Sequence, residues 1–146
     1  MSKQVAVIDA NLVIKTVIPN ALRVQCCAVL DNLVHKGYAF VAPTLWSYET
    51  TSAICKAVHF AYLTEDEGWR ALNQLAALDV TLKSPDAIDN HNVMQWTLKL
   101  NRAAAYDSYY LALAERLNCE LWTADQRLVN VAAQPWVRGV SDDVST

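Results

Sequence analysis

The chain has 146 residues, of which 53% are hydrophobic and 18% are charged, and its formal net charge is −3. This composition is typical of a globular protein and excludes a disordered or low-complexity chain. The negative charge gives no general attraction to nucleic acid, so a nucleic-acid function would require a local binding site. At this length we expect a single domain over residues 1–146.

Targeting segments and structural cysteine sites are not predicted. The apolar run near the first residues is too short for a signal peptide, and no run approaches the roughly 18 apolar residues of a membrane span. The four cysteines, Cys26, Cys27, Cys55 and Cys119, match no zinc-binding spacing, and we interpret them as reduced thiols in the core. Together these features predict a cytoplasmic protein.

The first half of the chain alternates strands with helices. Residues 4–8 form a β-branched run without alternation, which predicts a strand buried on both faces. A helix is predicted over 11–17 and another over 21–35, with Asn20 as the N-cap and Gly37 at the end. A second strand follows over 38–42, and Pro43 is predicted to open the next helix.

The same alternation continues in the second half. Thr64 and Glu67 form a capping-box pattern, which predicts a helix over 65–78. A short strand over 79–82 precedes a helix that Ser84 would cap and Pro85 would begin. The remaining predicted elements are a helix over 107–117, a strand over 119–123, a helix over 125–132 and a strand over 136–140. The order predicts an α/β fold, a three-layer α/β/α sandwich with a mostly parallel five-stranded central sheet.

The stretch over residues 106–128, YDSYYLALAERLNCELWTADQRL, holds two aspartates that the predicted elements bring together. Its helix should rise roughly 16 Å at 1.5 Å per residue, and its strand should return roughly 16 Å at 3.3 Å per residue. Asp107 and Asp125 should therefore lie at the same edge of the sheet. That edge is the carboxyl end of the strands, where open α/β sheets place their sites.

Two further acids should reach the same edge. Asp9 ends the first strand, and Glu49 lies in the helix after the second strand. The residues one helical turn from Glu49 include Trp46 and Ala53, so we expect its carboxylate to point with an apolar stripe.

Each acid alone has a simpler explanation, because Asp107 and Asp125 could be helix caps and Asp9 could be a turn residue. Together, ionised carboxylates at one half-buried edge repel one another and require partial protonation or a cation. Acidic oxygen ligands without paired histidine or cysteine favour the hard ions Mg²⁺ or Mn²⁺. The sequence therefore predicts a metal site formed by Asp9, Glu49, Asp107 and Asp125.

The order and context of these acids resemble the PIN domain, in particular the VapC-type ribonuclease toxins of prokaryotes. The motifs that carry the resemblance are VIDANLV with Asp9, WSYETTSAI with Glu49, AYDSYYLALAERL with Asp107 and LWTADQRL with Asp125. The resemblance extends over nearly the whole chain. It implies that the four acids are catalytic and bind a divalent metal, with Glu49 reaching the ion through a water or helping to deprotonate the nucleophile.

Other residues receive roles from the same resemblance and from their positions. Asn11 and Thr123 match small polar positions beside the acids and would orient ligands through hydrogen bonds. Arg102 lies just before Asp107 and Lys15 lies in the helix after the first strand, so either could contact RNA phosphate near the metal.

The resemblance implies a metal-dependent endoribonuclease that cuts single-stranded RNA with metal-activated water. It further implies that the protein is the toxin of a type II toxin–antitoxin pair. Its partners would then be the RNA substrate, an antitoxin whose Arg or Lys enters the acid cluster, and a second copy in a homodimer, with no membrane.

Three other function classes stay open at this point. The protein could be an RNA-processing PIN nuclease without a toxin role. A small-molecule phosphatase of the haloacid-dehalogenase type needs a second aspartate two residues after the first, where this chain has Asn11. A phospho-receiver domain needs a lysine at the end of a late strand, and the sequence has none near Val140. In a non-catalytic binding module the acids would be scaffold, and no metal binding would depend on Asp9 or Asp125.

Overall fold

The computed structural model describes residues 3–141. Its strands are β1 (Val5–Ile8), β2 (Ala39–Pro43), β3 (Thr81–Lys83), β4 (Glu120–Thr123) and β5 (Val137–Gly139). They form one sheet in the order β3-β2-β1-β4-β5, and each neighbouring pair is parallel. The predicted fold class, an α/β fold with a five-stranded sheet, is confirmed.

Helices connect successive parallel strands, as crossover connections require. They are α1 (Ala10–Val17), α2 (Arg23–His35), α3 (Leu45–His59), α4 (Glu65–Ala77), α5 (Ala87–Leu100), α6 (Tyr106–Leu117) and α7 (Gln126–Ala132). Helix α6 packs on β1, β2 and β4, and α5 packs against α6. Helices α1 to α4 form a second group, in which α1 contacts β4 and α3 contacts β2.

The two central strands are buried on both faces. Ala6, Val7 and Ile8 in β1 have no solvent-accessible surface, and the same holds for Leu121 and Trp122 in β4. Burying such apolar side chains provides most of the free energy that holds the layers together. The predicted burial of the first strand on both faces is confirmed.

Two predicted helix starts are wrong. Pro43 ends β2 instead of opening α3, and the next backbone N–H, that of Thr44, donates to Lys83 O at 3.1 Å. Helix α5 begins at Ala87 and not at Pro85, because Asp86 forms a capping box with Asp89. In that box each side chain accepts a hydrogen bond from the other residue's backbone N–H, at 2.8 and 2.9 Å.

The start of α2 also differs from the prediction. The helix begins at Arg23, and Asn20 Oδ1 accepts a hydrogen bond from the backbone N–H of Leu22 at 2.9 Å, which forms a turn before the helix. The predicted end at Gly37 (φ +83°) and the capping box of Thr64 with Glu67 are confirmed.

The cysteines are free thiols, but only Cys26 is fully buried and Cys55 is exposed. The prediction that all four lie in the core is therefore wrong for Cys55. Among residues 3–141, no helix has both the length and the apolarity needed to span a membrane.

Gly68 marks the closest approach of α4 to α3. A methyl group at this position would lie 2.6 Å from Cγ2 of Val58, whose β-branched side chain is stiff. We expect Gly68→Ala to lower the free energy of unfolding by about 1–2 kcal/mol, because the steric overlap destabilises the fold more than the higher helix propensity of alanine stabilises it. Urea unfolding measures this change. Asn73→Ala on the exposed side of α4 is the control, and a Gly68→Ala protein as stable as the wild type would contradict the prediction.

Candidate functional site

The strand order places a crevice at the carboxyl ends of β1 and β4. The chain moves outward in one direction from β1 to β2 and β3, and in the other direction from β4 to β5. Ligands bind at such switch points in open α/β sheets. Asp9 directly follows β1 and Asp125 lies two residues after β4, so both acids flank this crevice.

Asp9 lies at the bottom of the crevice and is buried. The hydroxyl of Thr123 lies 2.9 Å from Asp9 Oδ2 and 3.2 Å from Asn11 Oδ1, so its single hydrogen is shared between two acceptors. Asn11 Oδ1 also accepts a hydrogen bond from the backbone N–H of Ala124 at 3.0 Å. These contacts tie the segment after β1 to the segment after β4.

The charge of Asp9 is strongly disfavoured. Burial and, to a smaller extent, the negative charges of Asp107 and Glu49 raise the pKa of its carboxyl group to about 7, against the hydrogen bond from Thr123, which lowers it. Around neutral pH the side chain is therefore divided between its neutral and ionised forms. Partial protonation of this residue is one of the two ways in which the sequence predicts that the acid cluster is neutralised, the other being a bound cation.

Glu49 faces the crevice from the second turn of α3. The hydroxyl of Tyr110 on α6 donates a hydrogen bond to Glu49 Oε1 at 2.6 Å. Burial and the charge of Asp107 raise the pKa of the Glu49 carboxyl group, while the hydrogen bond lowers it. Tyr110 was not among the predicted site residues, although its position three residues after Asp107 on the same helix was a signal for it.

Asp107 is the second residue of α6, and it does not cap this helix, because Ala105 occupies the N-cap position. Its Oδ2 accepts a hydrogen bond from Arg102 Nη1 at 2.7 Å. Burial raises the pKa of the Asp107 carboxyl group, the Arg102 charge lowers it and the Asp125 charge raises it. A cation therefore already neutralises part of the acid cluster.

Asp125 does cap a helix, as the simpler explanation proposed. Its Oδ1 accepts a hydrogen bond from the backbone N–H of Leu128 at 3.1 Å at the start of α7. Its own backbone N–H donates to the Thr123 hydroxyl at 3.0 Å. Capping uses one carboxylate oxygen, so the second oxygen is available for a ligand.

A cavity of about 410 Å³, which we call the acidic cavity, opens beside these acids, and neither Asp9 nor Asp125 contributes to its lining. Glu49 and Asp107 line it together with Arg102, Arg127 and Tyr106. Arg127, on the first turn of α7, was missed in the sequence and forms no ion pair with any residue in the described range. Scattered arginines give no sequence signal, and only folding shows which of them face one cavity.

Lys15 is not among the residues that line this cavity. Its charge lowers the pKa of the Cys26 thiol on α2, against the effect of burial, so Lys15 faces the α1–α2 contact. The histidines, which were not predicted to be ligands, do not line the cavity either.

The donor set fits a hard divalent ion. Across residues 3–141, no three Asp, Glu, His or Cys side chains stand close enough together to hold one ion directly. Mg²⁺ does not require such a cage, since it keeps several waters and is usually bound through one or two carboxylates and substrate phosphates. The crevice offers carboxylate oxygens, mutual repulsion that a cation relieves, and open space for waters.

A family match agrees with this arrangement. The model of the PIN domain matches residues 7–138 of the chain. The chain belongs to the PIN domain family. PIN domains are generally nucleases and typically use divalent metals. No curated protein matches the chain.

A cavity of similar volume, about 390 Å³, lies at the opposite edge of this PIN domain. Its two carboxylates already have partners within the protein. Glu115 Oε1 accepts a hydrogen bond from Trp96 Nε1 at 3.4 Å, and Glu120 pairs with Arg138 at 2.7 Å. The acidic crevice lies at the carboxyl ends of the strands, where open α/β sheets bind ligands, and is therefore the better candidate site.

Proposed function

We propose that this PIN domain protein is a Mg²⁺- or Mn²⁺-dependent endoribonuclease that hydrolyses single-stranded RNA. The observation that carries the proposal is the meeting of acids from four distant parts of the chain at one crevice, beside two arginines. Burial, together with repulsion from Asp107 and Glu49, raises the pKa of Asp9 to about 7, and a divalent cation would relieve that repulsion. Family membership supports a nuclease, and the arginines supply positive charge for phosphate.

One or two of Asp9, Asp107 and Asp125 would bind the ion directly, and the others, together with Glu49, would contact it through waters. When bound, such an ion supplies Lewis acidity, which activates water and stabilises charge on the scissile phosphate. Thr123 would keep one oxygen of Asp9 fixed through its hydroxyl. The capping hydrogen bond at the start of α7 fixes the Asp125 side chain in the same way, so the carboxylates of Asp9 and Asp125 have little freedom to turn away from the ion.

Glu49 is suited to take a proton from the attacking water. Tyr110 occupies Glu49 Oε1, which leaves Oε2 free, and burial raises the pKa of the carboxyl group towards the range in which bases work best. The water oxygen bonds to phosphorus, the bond from phosphorus to the 3′ oxygen breaks, and that oxygen takes up a proton. The products are a 5′-phosphate and a 3′-hydroxyl.

Arg102 has two roles in this proposal. Its ion pair with Asp107 neutralises part of the cluster when no metal is bound, and metal binding would free the guanidinium for phosphate. Arginine suits this exchange because its planar donors bind carboxylate and phosphate alike. Arg127 also lines the cavity and would contact phosphate as well.

The toxin role and the partners are further parts of the proposal. As the toxin of a type II pair in the cytoplasm, the protein would be inhibited by an antitoxin whose basic side chain displaces Arg102 from Asp107. A homodimer would have apolar surface available, because Ile88, Met94 and Leu98 are exposed on α5.

Mapping the ends of cleaved RNA tests the proposed activity. The purified protein is incubated with an unstructured RNA and with its duplex form, in Mg²⁺, in Mn²⁺ and in chelator. We expect metal-dependent cleavage of the unstructured RNA alone, with 5′-phosphate and 3′-hydroxyl ends. Cleavage that persists in chelator, or cyclic phosphate ends, would contradict the mechanism.

A further inference from the structure

A smaller cavity of about 190 Å³ adjoins the acidic crevice. Its lining is mostly rings and aliphatic carbon, contributed by Pro43, Leu45, Tyr48, Pro85, Tyr106 and Tyr109. We refer to it as the tyrosine cavity. The acidic cavity and the tyrosine cavity share Tyr106 in their linings, so they adjoin at this residue.

Two of the tyrosines come directly before acids of the site. Tyr48 precedes Glu49 on α3, and Tyr106 precedes Asp107 on α6. Neighbouring residues on a helix point about 100° apart, so when one side chain faces the acids the other faces the adjoining surface. Because Tyr48 and Tyr106 are each adjacent in sequence to an acid of the site, the tyrosine cavity lies at a fixed position beside the acids.

Two of the three tyrosines that line the cavity are mostly exposed to solvent. Tyr48 is 72% exposed and Tyr106 is 61% exposed. Tyr109 is held in place, because its hydroxyl donates a hydrogen bond to Asn90 Oδ1 at 2.8 Å. The cavity thus combines one fixed ring with two rings whose faces are open to a ligand.

The charges next to this cavity select the kind of ligand. Arg102 and Arg127 line the adjoining acidic cavity, and both can bind phosphate. A ligand with phosphate groups beside a flat aromatic ring matches this combination of cations and tyrosines. An unpaired nucleotide has that chemistry, whereas a base pair in a duplex has its faces covered by stacking.

We propose that the tyrosine cavity binds an unpaired base next to the scissile phosphate, by stacking on Tyr48 and Tyr106. The inference rests on the proposed nuclease function and names the residues that would select single-stranded RNA. The arginines hold the phosphates, and the tyrosines accept any base that is free to leave its stack. Duplex RNA is excluded because its bases cannot enter the cavity.

The test compares Tyr48→Ala and Tyr106→Ala with Tyr106→Phe and with Tyr62→Ala, an exposed tyrosine outside the cavity. Steady-state cleavage of a short unstructured RNA should show KM raised roughly 10- to 100-fold in the alanine variants, with kcat changed much less. Tyr106→Phe should keep most of the wild-type KM, since stacking needs the ring and not the hydroxyl. The same RNA with an abasic residue beside the cleaved bond should be a poor substrate for the wild type and no poorer for Tyr106→Ala.

A binding measurement separates this inference from the nuclease proposal. The Asp107→Asn protein is titrated with RNA that carries the fluorescent base 2-aminopurine at the same position, whose emission falls on stacking. We expect quenching with this protein, loss of quenching when Tyr106→Ala is added to it, and unchanged quenching when Tyr62→Ala is added instead.

The outcomes separate the two proposals. If the wild type cuts RNA but the tyrosine variants match it in KM and quenching, the base site is wrong and the nuclease proposal stands. If the wild type cuts no RNA but the tyrosine-dependent quenching is seen, the nuclease proposal fails and the base site stands.

Unchanged RNA binding in all tyrosine variants would overturn the proposal. The exposed rings would then be left to a protein partner or to a second copy of the chain. Because Tyr48 and Tyr106 are exposed, the alanine variants should unfold at the wild-type temperature, so loss of folding cannot imitate the expected result.

Discussion

Asp107→Asn is expected to abolish RNA cleavage while leaving the fold intact. The substitution keeps the size of the side chain but removes the charge that would attract the metal ion. Loss of one group that stabilises the transition state typically costs about 10²- to 10³-fold in rate, and loss of a metal ligand should cost at least as much. The rate is measured with the unstructured RNA in Mg²⁺ and in Mn²⁺.

Stability should change little in the same variant. The ion pair of Asp107 with Arg102 is partly exposed, and such pairs contribute at most about 1 kcal/mol. Asp31→Asn, which removes an exposed charge from α2, is the control for net charge and should cut RNA at the wild-type rate. Wild-type activity in Asp107→Asn would exclude the proposed site.

The same pair of variants tests the toxin role. Expression of the wild-type chain in a bacterial host should arrest growth, and expression of Asp107→Asn should not. Growth arrest by both proteins would mean that toxicity does not depend on cleavage.

The second large effect concerns Asp9 and the stability of the metal-free protein. The pKa of an aspartate is about 3.8 in the unfolded chain and is raised to about 7 in the fold. Its stabilising contribution is therefore complete below about pH 4, falls as the pH rises, and is lost above about pH 7. The free energy of unfolding should fall by about 1.36 kcal/mol per pH unit between about pH 5 and about pH 7, about 3 kcal/mol in all, and should level off by about pH 8.

Asp9→Asn should remove most of this pH dependence. The amide oxygen can still accept the hydrogen bond from Thr123, and no charge has to be buried. At about pH 8 the variant should therefore be more stable than the wild type without metal. Urea unfolding in chelator at several pH values measures both effects, and Asp31→Asn again serves as the control.

With added Mn²⁺ the wild type should become more stable than the Asp9→Asn protein, the reverse of their order in chelator. An ion that binds the folded wild type stabilises it by mass action, most strongly at a pH where Asp9 is ionised. The Asp9→Asn protein should gain much less from the ion. A wild-type protein whose stability does not fall between about pH 5 and about pH 8 in chelator would contradict the burial of a charged Asp9.

Much of the fold could be predicted because the signals for it are local. A β-branched run without alternation predicted the buried strand β1, and the alternation of strands with helices predicted a parallel sheet. The errors lie at helix starts, where several residues compete. Asp86 and Asp89 form the capping box, so the helix begins after Asp86 and not at Pro85. The sequence alone does not show whether Ser84 or Asp86 will cap the helix.

The partners of the site residues could not be predicted in the same way. Tyr110 and Glu49 are 61 positions apart, and their hydrogen bond depends on the packing of α3 against the sheet and α6. Arg102 and Lys15 were equivalent candidates in the sequence, but only Arg102 lines the acidic cavity. A side chain's direction depends on the element that carries it and on the elements packed around it.

The sequence by itself determined the order of strands and helices and which four acids are candidates for the site, because periodicity, capping residues and element lengths act within short segments. Only the tertiary structure decided which oxygens are already hydrogen-bonded, which arginines face the acids, and that two exposed tyrosines adjoin them. It also decided the raised pKa of Asp9, because burial and the nearness of other charges arise only when distant segments pack together.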